Sequence, residues 1–366
     1  MGGTHLNGLF HSPNLQFWSY RLGRQSQRLV SFILSGLIAL VLLMAGSYMV
    51  EGRSPKEAKK VPIEVEEASS ISQTASKISL ENQSENYSTR WFKNNTREKT
   101  KGVALVIHGL NLRPDKMQTI ISVLAESGMD VLRLSLRGHG ENYTHRADIN
   151  EEQARLEAFK AVSYPLWLNE AYLAYTQVRE AAKQKKVPLF FVGFSLGGLI
   201  GLDLFASQPE VHYDRMILFA PAIKLHAVHY LGRILSPMSR LVIPSMAPDS
   251  YLSNKKGTPV AAYNALFEMY AHLENNLNPK INIPTVVFID KQDELISFSG
   301  LQNMIQDQNL DQWNIHPVKK DKTATKIKMH HLIIDEASVG KKMWQEIVDI
   351  AITHFIERQS AEKIDE

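Results

Sequence analysis

Residues Pro188 to Phe205 read PLFFVGFSLGGLIGLDLF, and this stretch decides the fold. It opens with a short apolar run, passes through Gly-Phe-Ser-Leu-Gly-Gly with Ser195 at its centre, and continues as a second apolar run. A short apolar run that ends at glycine is typical of a buried strand, and a longer apolar pattern after it favours a helix. The stretch therefore predicts a strand, a sharp turn that holds Ser195, and a helix.

Outside this stretch, from about residue 88 onward, strand-like and helix-like patterns alternate. The strand candidates are short apolar runs: Val103–His108, Val131–Ser135, Leu189–Val192, Met216–Phe219, Thr285–Ile289 and Trp313–Val318. The helix candidates are a segment capped by Asp115 and closed by Gly128, a segment from Pro165 to Lys185, and a last one from Val339 to Glu357. This alternation predicts an α/β fold, with a mostly parallel central sheet and helices on both faces. Functional side chains are then expected at the carboxyl ends of the strands.

The composition limits the classes of function. The chain has 366 residues, 44% of them hydrophobic, and a formal net charge of +3. So small a charge gives no indication of a nucleic-acid partner. The sequence contains no cysteine, which excludes disulfides, a thiol nucleophile and thiolate metal sites.

The segment Leu29–Val50 is apolar and uncharged throughout. As a helix it would be about 33 Å long, enough to cross the hydrocarbon core of a bilayer. We therefore expect a single-pass membrane anchor here, with a cleaved signal peptide as the alternative reading. Basic residues precede the span at positions 21, 24 and 28 and follow it at positions 53, 56, 59 and 60, so their distribution does not favour one side strongly. The usual outcome for a basic N-terminus before a first span is the N-terminus inside and the large domain on the non-cytoplasmic side, and we expect this orientation.

The anchor divides the chain into parts of different character. Residues 1–28 form an N-terminal segment of cytoplasmic type, and residues 51–87 are rich in Ser, Glu, Lys, Asn and Gln, as a flexible linker is. Residues 88–358 form the predicted globular domain, and residues 359–366 a tail. This organisation predicts the membrane, through residues 29–50, and a small-molecule substrate as partners, and it leaves protein partners open.

The turn at Gly193-Phe194-Ser195-Leu196-Gly197 fits the pattern G-x-S-x-G between a strand and a helix, which exposes a serine as a nucleophile. The serine hydroxyl is a weak nucleophile unless a base accepts its proton, and the base needs a carboxylate to orient it. Both partners are expected later in the chain.

Two loops near the end of the domain offer these partners. The loop after the strand of residues 285–289 offers Asp293 as the acid, with Asp290 and Glu294 as alternatives. The loop after the last strand offers His331 as the base, with its neighbour His330 as the alternative.

An acyl-transfer reaction also needs hydrogen-bond donors for the oxyanion that develops on the substrate. One donor is expected to be the backbone N–H of Leu196, which follows the serine at the start of a helix. The other is expected in the loop behind the first strand, where we favour the N–H of Leu110 and keep Asn111 as the alternative. We expect His108 to brace this loop rather than to react.

These motifs together resemble the α/β-hydrolase superfamily. In chain order they are VIHGL (106–110), LSLRGHG (134–140), GFSLGG (193–198), DKQDELIS (290–297) and HHLIIDE (330–336), and the resemblance extends from Val103 to Phe355. Within the superfamily the chain is most similar to the branch of monoacylglycerol lipases, lysophospholipases and serine aminopeptidase-like hydrolases. The resemblance implies a triad of Ser195, Asp293 and His331, an oxyanion hole from Leu110 and Leu196, and no metal or organic cofactor.

Members of this superfamily often carry a cap inserted before the acid strand, and residues 220–278 form such an insert here. The insert is rich in apolar residues between Val228 and Met246, which favours a helical lid suited to an acyl chain. The sequence thus predicts a membrane-tethered serine hydrolase acting on carboxylic esters, plausibly monoacylglycerols or lysophospholipids. Two alternatives stay open: a peptidase or amidase with the same triad, and a non-catalytic binding protein of the same fold.

Overall fold

The computed structural model describes residues 88–357 with the exception of residues 322 and 324. Its strands are β1 (Ser88–Phe92), β2 (Gly102–Ile107), β3 (Met129–Ser135), β4 (Leu189–Phe194), β5 (Arg215–Phe219), β6 (Val242–Ile243), β7 (Thr258–Pro259), β8 (Thr285–Asp290) and β9 (Trp313–Val318). Seven of them form one sheet in the order β1-β3-β2-β4-β5-β8-β9, and β6 and β7 form a separate antiparallel pair. All neighbours in the large sheet are parallel except β1 and β3. The predicted α/β fold with a mostly parallel sheet is confirmed.

Helices follow the strands as a parallel sheet requires. The α-helices are α1 (Gln118–Glu126), α2 (Glu151–Lys160), α3 (Tyr164–Lys185), α4 (Leu196–Ser207), α5 (Val260–Asn276), α6 (Phe298–Asp307), α7 (Glu336–Val339) and α8 (Lys341–Ile352). The central strands β2 and β4 are buried along their whole length, because helices cover both faces of the sheet. Helix α4, which starts directly after Ser195, is buried from Leu196 to Phe205.

The ends of several predicted elements were wrong. Asp115 does not cap the first helix, because it lies inside a short 3₁₀ turn, Pro114–Met117, and its carboxylate pairs with Arg113 at 2.6 Å. The predicted last helix is interrupted at Gly340, whose φ of 89° separates α7 from α8. Strand β1 and helix α2 were missed, since neither has the apolar periodicity of a core element.

The segment between β5 and β8 contains one long helix, α5, together with short 3₁₀ segments and the β6–β7 pair. The part predicted as an apolar helical lid is therefore mostly not α-helical. Three of its large apolar side chains are exposed: Ile234 (67%), Met238 (39%) and Met246 (69%). The cap boundaries of residues 220–278 stay a prediction, as do the other domain boundaries.

Within the part of the chain that the structure describes, no helix has the length and apolar character needed to span a bilayer. The predicted anchor at residues 29–50 lies outside the described residues, as do the predicted N-terminal segment, the linker and the tail.

Candidate active site

Ser195 lies in a strained turn between β4 and α4. Its φ of 52° and ψ of −115° are unusual for a residue with a side chain. The backbone on both sides of Ser195 is held by β5 and the residues after it: the Ser195 N–H donates to Phe219 O at 2.9 Å, and the Ala222 N–H donates to Ser195 O at 3.0 Å. These bonds hold the strained conformation in place and fix the direction of the hydroxyl.

Glycines make this turn possible by removing side chains where backbones touch. A Cβ atom on Gly193 would lie 2.6 Å from the Cα of Gly198. A Cβ atom on Gly197 would collide with Ile107 O and lie 2.7 Å from His108 O, at the end of β2. The turn therefore packs directly against the loop that follows β2, which brings the two predicted oxyanion donors to the same place.

The structure brings Ser195, His331 and Asp293 together in one hydrogen-bonded chain. Ser195 Oγ lies 2.9 Å from His331 Nε2, and His331 Nδ1 lies 2.9 Å from Asp293 Oδ2 and 3.1 Å from Asp293 Oδ1. With the proton on Nδ1, the imidazole donates to the carboxylate and accepts from the serine hydroxyl. All three residues are buried. This is the arrangement in which a histidine can remove the proton from a serine hydroxyl.

Asp293 is built to stay ionised. Burial alone would raise the pKa of Asp293, but the charge of His331 and hydrogen bonds from His331, Ile296 and Leu295 together hold the pKa below its ordinary value. The N–H groups of Leu295 and Ile296 both donate to Asp293 Oδ1 at 2.8 Å. A carboxylate fixed by its own loop in this way can stabilise the imidazolium that forms during catalysis.

The alternative acids and the alternative base have other partners. Asp290 Oδ2 lies 2.7 Å from His330 Nδ1, so these two residues form a pair beside the chain that contains Ser195. Glu294 accepts backbone hydrogen bonds from both histidines, at 2.9 Å from the His330 N–H and 3.0 Å from the His331 N–H. The carboxylate of Glu294 thus holds the backbone of the histidine loop at two successive residues, a role that the sequence analysis missed.

The loop after β2 approaches the serine closely. A Cβ atom on Gly109 would lie 3.2 Å from Ser195 Cβ. Leu196 occupies the first helical position of α4, where an N–H has no acceptor within the helix. The Asn111 N–H, the alternative second donor, already donates to His139 Nε2 at 2.9 Å. Of the two candidates in this loop, only the Leu110 N–H has no hydrogen-bond acceptor among the described residues. It is therefore available to donate to a substrate.

Two buried histidines, His108 and His139, hold the backbone of the loop after β2, residues 108–113, which is called the oxyanion loop below because it carries the predicted donor Leu110. His108 Nδ1 donates to Gly109 O at 2.8 Å, and its Nε2 accepts from the Leu136 N–H at 3.1 Å. Burial, reinforced by the charge of His139, lowers the pKa of His108 far below its ordinary value, and burial lowers the pKa of His139 to about 4. Both rings are therefore neutral at physiological pH and can accept the backbone hydrogen bonds that hold the loop. The bracing role of His139 was missed, although its R-G-H-G motif was noted.

The start of the cap segment contacts the loop after β8, residues 291–297, which carries Asp293 and is called the acid loop below. Leu225 and Ile296 form an antiparallel bridge, and His226 Nε2 lies 3.0 Å from Asp293 O. His229 Nε2 lies 2.9 Å from Glu294 O. The main chain on which Asp293 and Glu294 lie is therefore held from the cap side. Among the described residues, no group of three or more His, Asp or Glu side chains is arranged as a metal site.

Comparisons with known proteins agree with this architecture. Residues 98–258 match the family model described as serine aminopeptidase, S33. The chain is 24% identical over 152 residues to Phospholipase YtpA of Bacillus subtilis, and this match covers 41% of the chain and only 52% of that relative. The chain thus spans about half the length of this curated relative.

Solved structures of the same fold include two lipases. A soluble variant of monoglyceride lipase from Saccharomyces cerevisiae superposes with a TM-score of 0.57 at 17% identity, covering 74% of this chain and 91% of that one. The monoacylglycerol lipase of Paleococcus ferrophilus gives a TM-score of 0.51 at 15% identity, covering 73% and 99%. The resemblance to the α/β-hydrolase superfamily is confirmed by the family model and the fold. The catalytic roles of the individual residues stay predictions.

The first prediction separates the two aspartate–histidine pairs. We expect Asp293→Asn and His331→Ala each to lower kcat by about 10⁴, because the base loses its orientation or is absent. Asp290→Asn and His330→Ala serve as matched controls and should have a much smaller effect. Steady-state kinetics on a soluble ester measures all four variants, and a reversed order within either pair would move the assignment to the neighbouring residue.

A second prediction concerns Glu294. Glu294→Gln replaces one acceptor oxygen by an amide group that faces a backbone N–H, so one of the two hydrogen bonds to the histidine loop is lost. We expect kcat to fall about 10- to 100-fold with little change in KM, because small displacements of a catalytic group have effects of this size. The control is Glu268→Gln, an exposed glutamate on α5. An unchanged kcat in Glu294→Gln would show that His331 is positioned without it.

Proposed function

We propose that this chain, which has the α/β-hydrolase fold, is a membrane-tethered serine hydrolase that cleaves carboxylic esters, with monoacylglycerols or lysophospholipids as its substrates. The observation that carries the proposal is the chain of hydrogen bonds from Ser195 Oγ through His331 to Asp293. The three side chains meet at the carboxyl ends of parallel strands, as catalytic groups do in open α/β sheets.

The geometry supports an acyl-enzyme mechanism. Ser195 Oγ attacks the ester carbonyl carbon while His331 Nε2 accepts its proton, and Asp293 stabilises the resulting imidazolium. The N–H groups of Leu110 and Leu196 donate to the oxyanion of the tetrahedral intermediate. His331 then protonates the leaving alcohol, and the acyl group stays on Ser195. A water molecule, activated by the same histidine, releases the carboxylic acid and restores the serine.

Three observations favour a lipid ester. The cap segment exposes the large apolar side chains Ile234, Met238 and Met246, which suit contact with acyl chains or a lipid surface. The apolar segment of residues 29–50 would keep the enzyme at a bilayer, with the catalytic domain on the non-cytoplasmic side. The relatives of similar fold include proteins named as monoglyceride lipases and a phospholipase.

A peptidase or amidase is the second candidate, and the description of the matching family model as serine aminopeptidase favours it. The same triad would serve both reactions, because amides and esters pass through the same kind of tetrahedral intermediate. The two functions differ in the leaving group that His331 must protonate, an amine or an alcohol.

The third prediction tests the nucleophile and the reaction class together. The full chain should react covalently with a fluorophosphonate probe and hydrolyse esters, and Ser195→Ala should abolish both, with a loss in kcat on the order of 10⁶. Matched ester and aminoacyl-amide substrates distinguish esterase from peptidase. Full turnover by Ser195→Ala would exclude the triad and support a different chemistry, while absence of labelling in the parent would support a binding protein of the same fold.

The fourth prediction tests the tether and the substrate class. The full chain and a chain that starts at Glu85 are compared on one long-chain monoacylglycerol, presented in vesicles and in detergent micelles. We expect the full chain to be faster only in vesicles, and to remain with membranes at high salt, because insertion of apolar side chains is not screened by ions. Equal rates in vesicles, together with a preference for short water-soluble esters, would contradict the lipid-ester proposal.

A further inference from the structure

A cavity of about 770 Å³ lies outside the candidate active site. Its walls come from β1, from β3, from the loops that follow β2 and β3, and from the start of α2, together with Leu252, Ser253 and Lys255. Neither the Ser195–His331–Asp293 chain nor the two oxyanion donors line it. The ester-hydrolysis mechanism gives this cavity no role.

Arg133 projects into this cavity from the interior of β3. Its Nε atom is buried and has no hydrogen-bond partner among the described residues. No carboxylate of the described residues lies within ion-pair distance of Arg133. Burial, followed by the charge of Arg90, lowers the pKa of its guanidinium, and the more distant charges of Asp115 and Glu141 oppose this shift only in part. Arg133 as a whole is half-buried, and a partly desolvated guanidinium whose Nε has no acceptor favours a further anionic partner.

A second arginine lies directly beside the first. Arg90 on β1 is the cross-strand partner of Arg133, and it also lines the cavity. Both guanidinium groups pack near the ring of Phe92, with Cζ-to-centroid distances of 5.2 Å for Arg90 and 5.6 Å for Arg133. These contacts hold the two cations on the same side of the sheet without neutralising them. Like charges at opposed positions of a strand pair are destabilising, unless an anion lies between them.

The carboxylates that line the cavity act on Arg133 only from a distance, and none of them forms an ion pair with it. Asp115 is already paired with Arg113 at 2.6 Å. Glu141, Glu151 and Glu152 are exposed to solvent, which screens their charges. The Ser135 side chain, two residues after Arg133 and on the same face of β3, adds a hydroxyl to the wall of the cavity.

We propose that this cavity binds a phosphate group, held by the guanidinium groups of Arg133 and Arg90 and by the Ser135 hydroxyl. A phosphate carries up to two negative charges, and its oxygens match the planar donor arrangement of arginine. Such a phosphate group could come from inorganic phosphate or from the phosphodiester of a phospholipid head group. The cavity, at about 770 Å³, is large enough for either ligand.

The bound phosphate would lie beside the oxyanion loop. Arg113, which lines the cavity, is three residues from Leu110, so their Cα atoms are at most about 11 Å apart. Residues 111–113 of this loop are hydrogen-bonded to residues 251–253. The Arg113 N–H donates to Tyr251 O at 2.8 Å, and the Ser253 N–H donates to Asn111 O at 2.9 Å. The loop after β2 therefore lines the cavity at Arg113 and carries the predicted oxyanion donor at Leu110, which is not part of the cavity lining.

Isothermal titration calorimetry on the full chain in a neutral detergent tests the proposal without any use of ester turnover. Inorganic phosphate and a glycerophosphodiester that lacks acyl chains are titrated separately, in chloride buffer at constant ionic strength. We expect saturable binding of at least one of them, weakened about tenfold or more by Arg133→Gln and by Arg90→Gln, because each removes a charge-assisted hydrogen bond. Arg146→Gln, an exposed arginine outside the cavity, is the charge-matched control and should bind as the parent does. The tighter ligand identifies the source of the phosphate.

Thermal unfolding of the same proteins keeps the test decisive if Arg133→Gln is poorly folded. The ligand should raise the melting temperature of the parent and of Arg146→Gln, and it should raise that of Arg90→Gln much less. Arg90 is exposed, so its substitution leaves the fold intact. Absence of binding by both ligands, or equal binding by the parent and the two cavity variants, would overturn the proposal.

Discussion

The close contact between the turn at Ser195 and the end of β2 is the constraint on which the rest of the site depends. Glycine at positions 193 and 197 removes the Cβ atoms that would otherwise meet Gly198 and the carbonyls of Ile107 and His108. With these backbones in contact, the serine hydroxyl, the first N–H of α4 and the loop after β2 lie around the same point. Strain at Ser195 is tolerated because bonds to the residues at the end of β5 and beyond hold its peptide groups from both sides.

Three neighbouring carboxylates, at positions 290, 293 and 294, each have a different hydrogen-bond partner. Asp293 orients His331, Asp290 pairs with His330, and Glu294 holds the backbone of both histidines. One segment of chain thus supplies both the carboxylate that pairs with the His331 ring and the hydrogen bonds that hold the His331 backbone. Since the cap segment binds the carbonyls of Asp293 and Glu294, movements of the cap are expected to reach the base through this loop.

The sequence predicted the parts of the site that have a local signature. Ser195 follows from a strand–glycine–helix pattern, and the parallel strands follow from short apolar runs, because buried strands must be apolar along their whole length. The choice between His330 and His331 has no local signature, since adjacent residues differ only in the direction of their side chains. Three features depend on contacts between segments that are distant in the sequence: the hydrogen bonds of Glu294 to the histidine loop, the hydrogen bond of His139 to Asn111, and the pairing of β1 with β3. A periodic pattern of apolar residues within one segment does not predict such contacts.

Charge is distributed around the oxyanion loop in a way that serves the proposed reaction. His108 and His139 hold the backbone of the loop after β2 and are neutral, because burial lowers the pKa of both rings. They therefore place no positive charge next to this loop that could attract an anion away from the N–H donors. The buried carboxylate of Asp293 contacts Nδ1 of His331, on the opposite edge of the ring from Ser195 Oγ, so in the proposed reaction it would stabilise the imidazolium and lie away from the negative oxyanion. Arg90 and Arg133 line a cavity that contains none of the Ser195–His331–Asp293 residues and neither Leu110 nor Leu196. Developing negative charge on a substrate therefore meets the N–H donors first, and a phosphate held by the arginines would add its charge outside the reaction centre rather than within it.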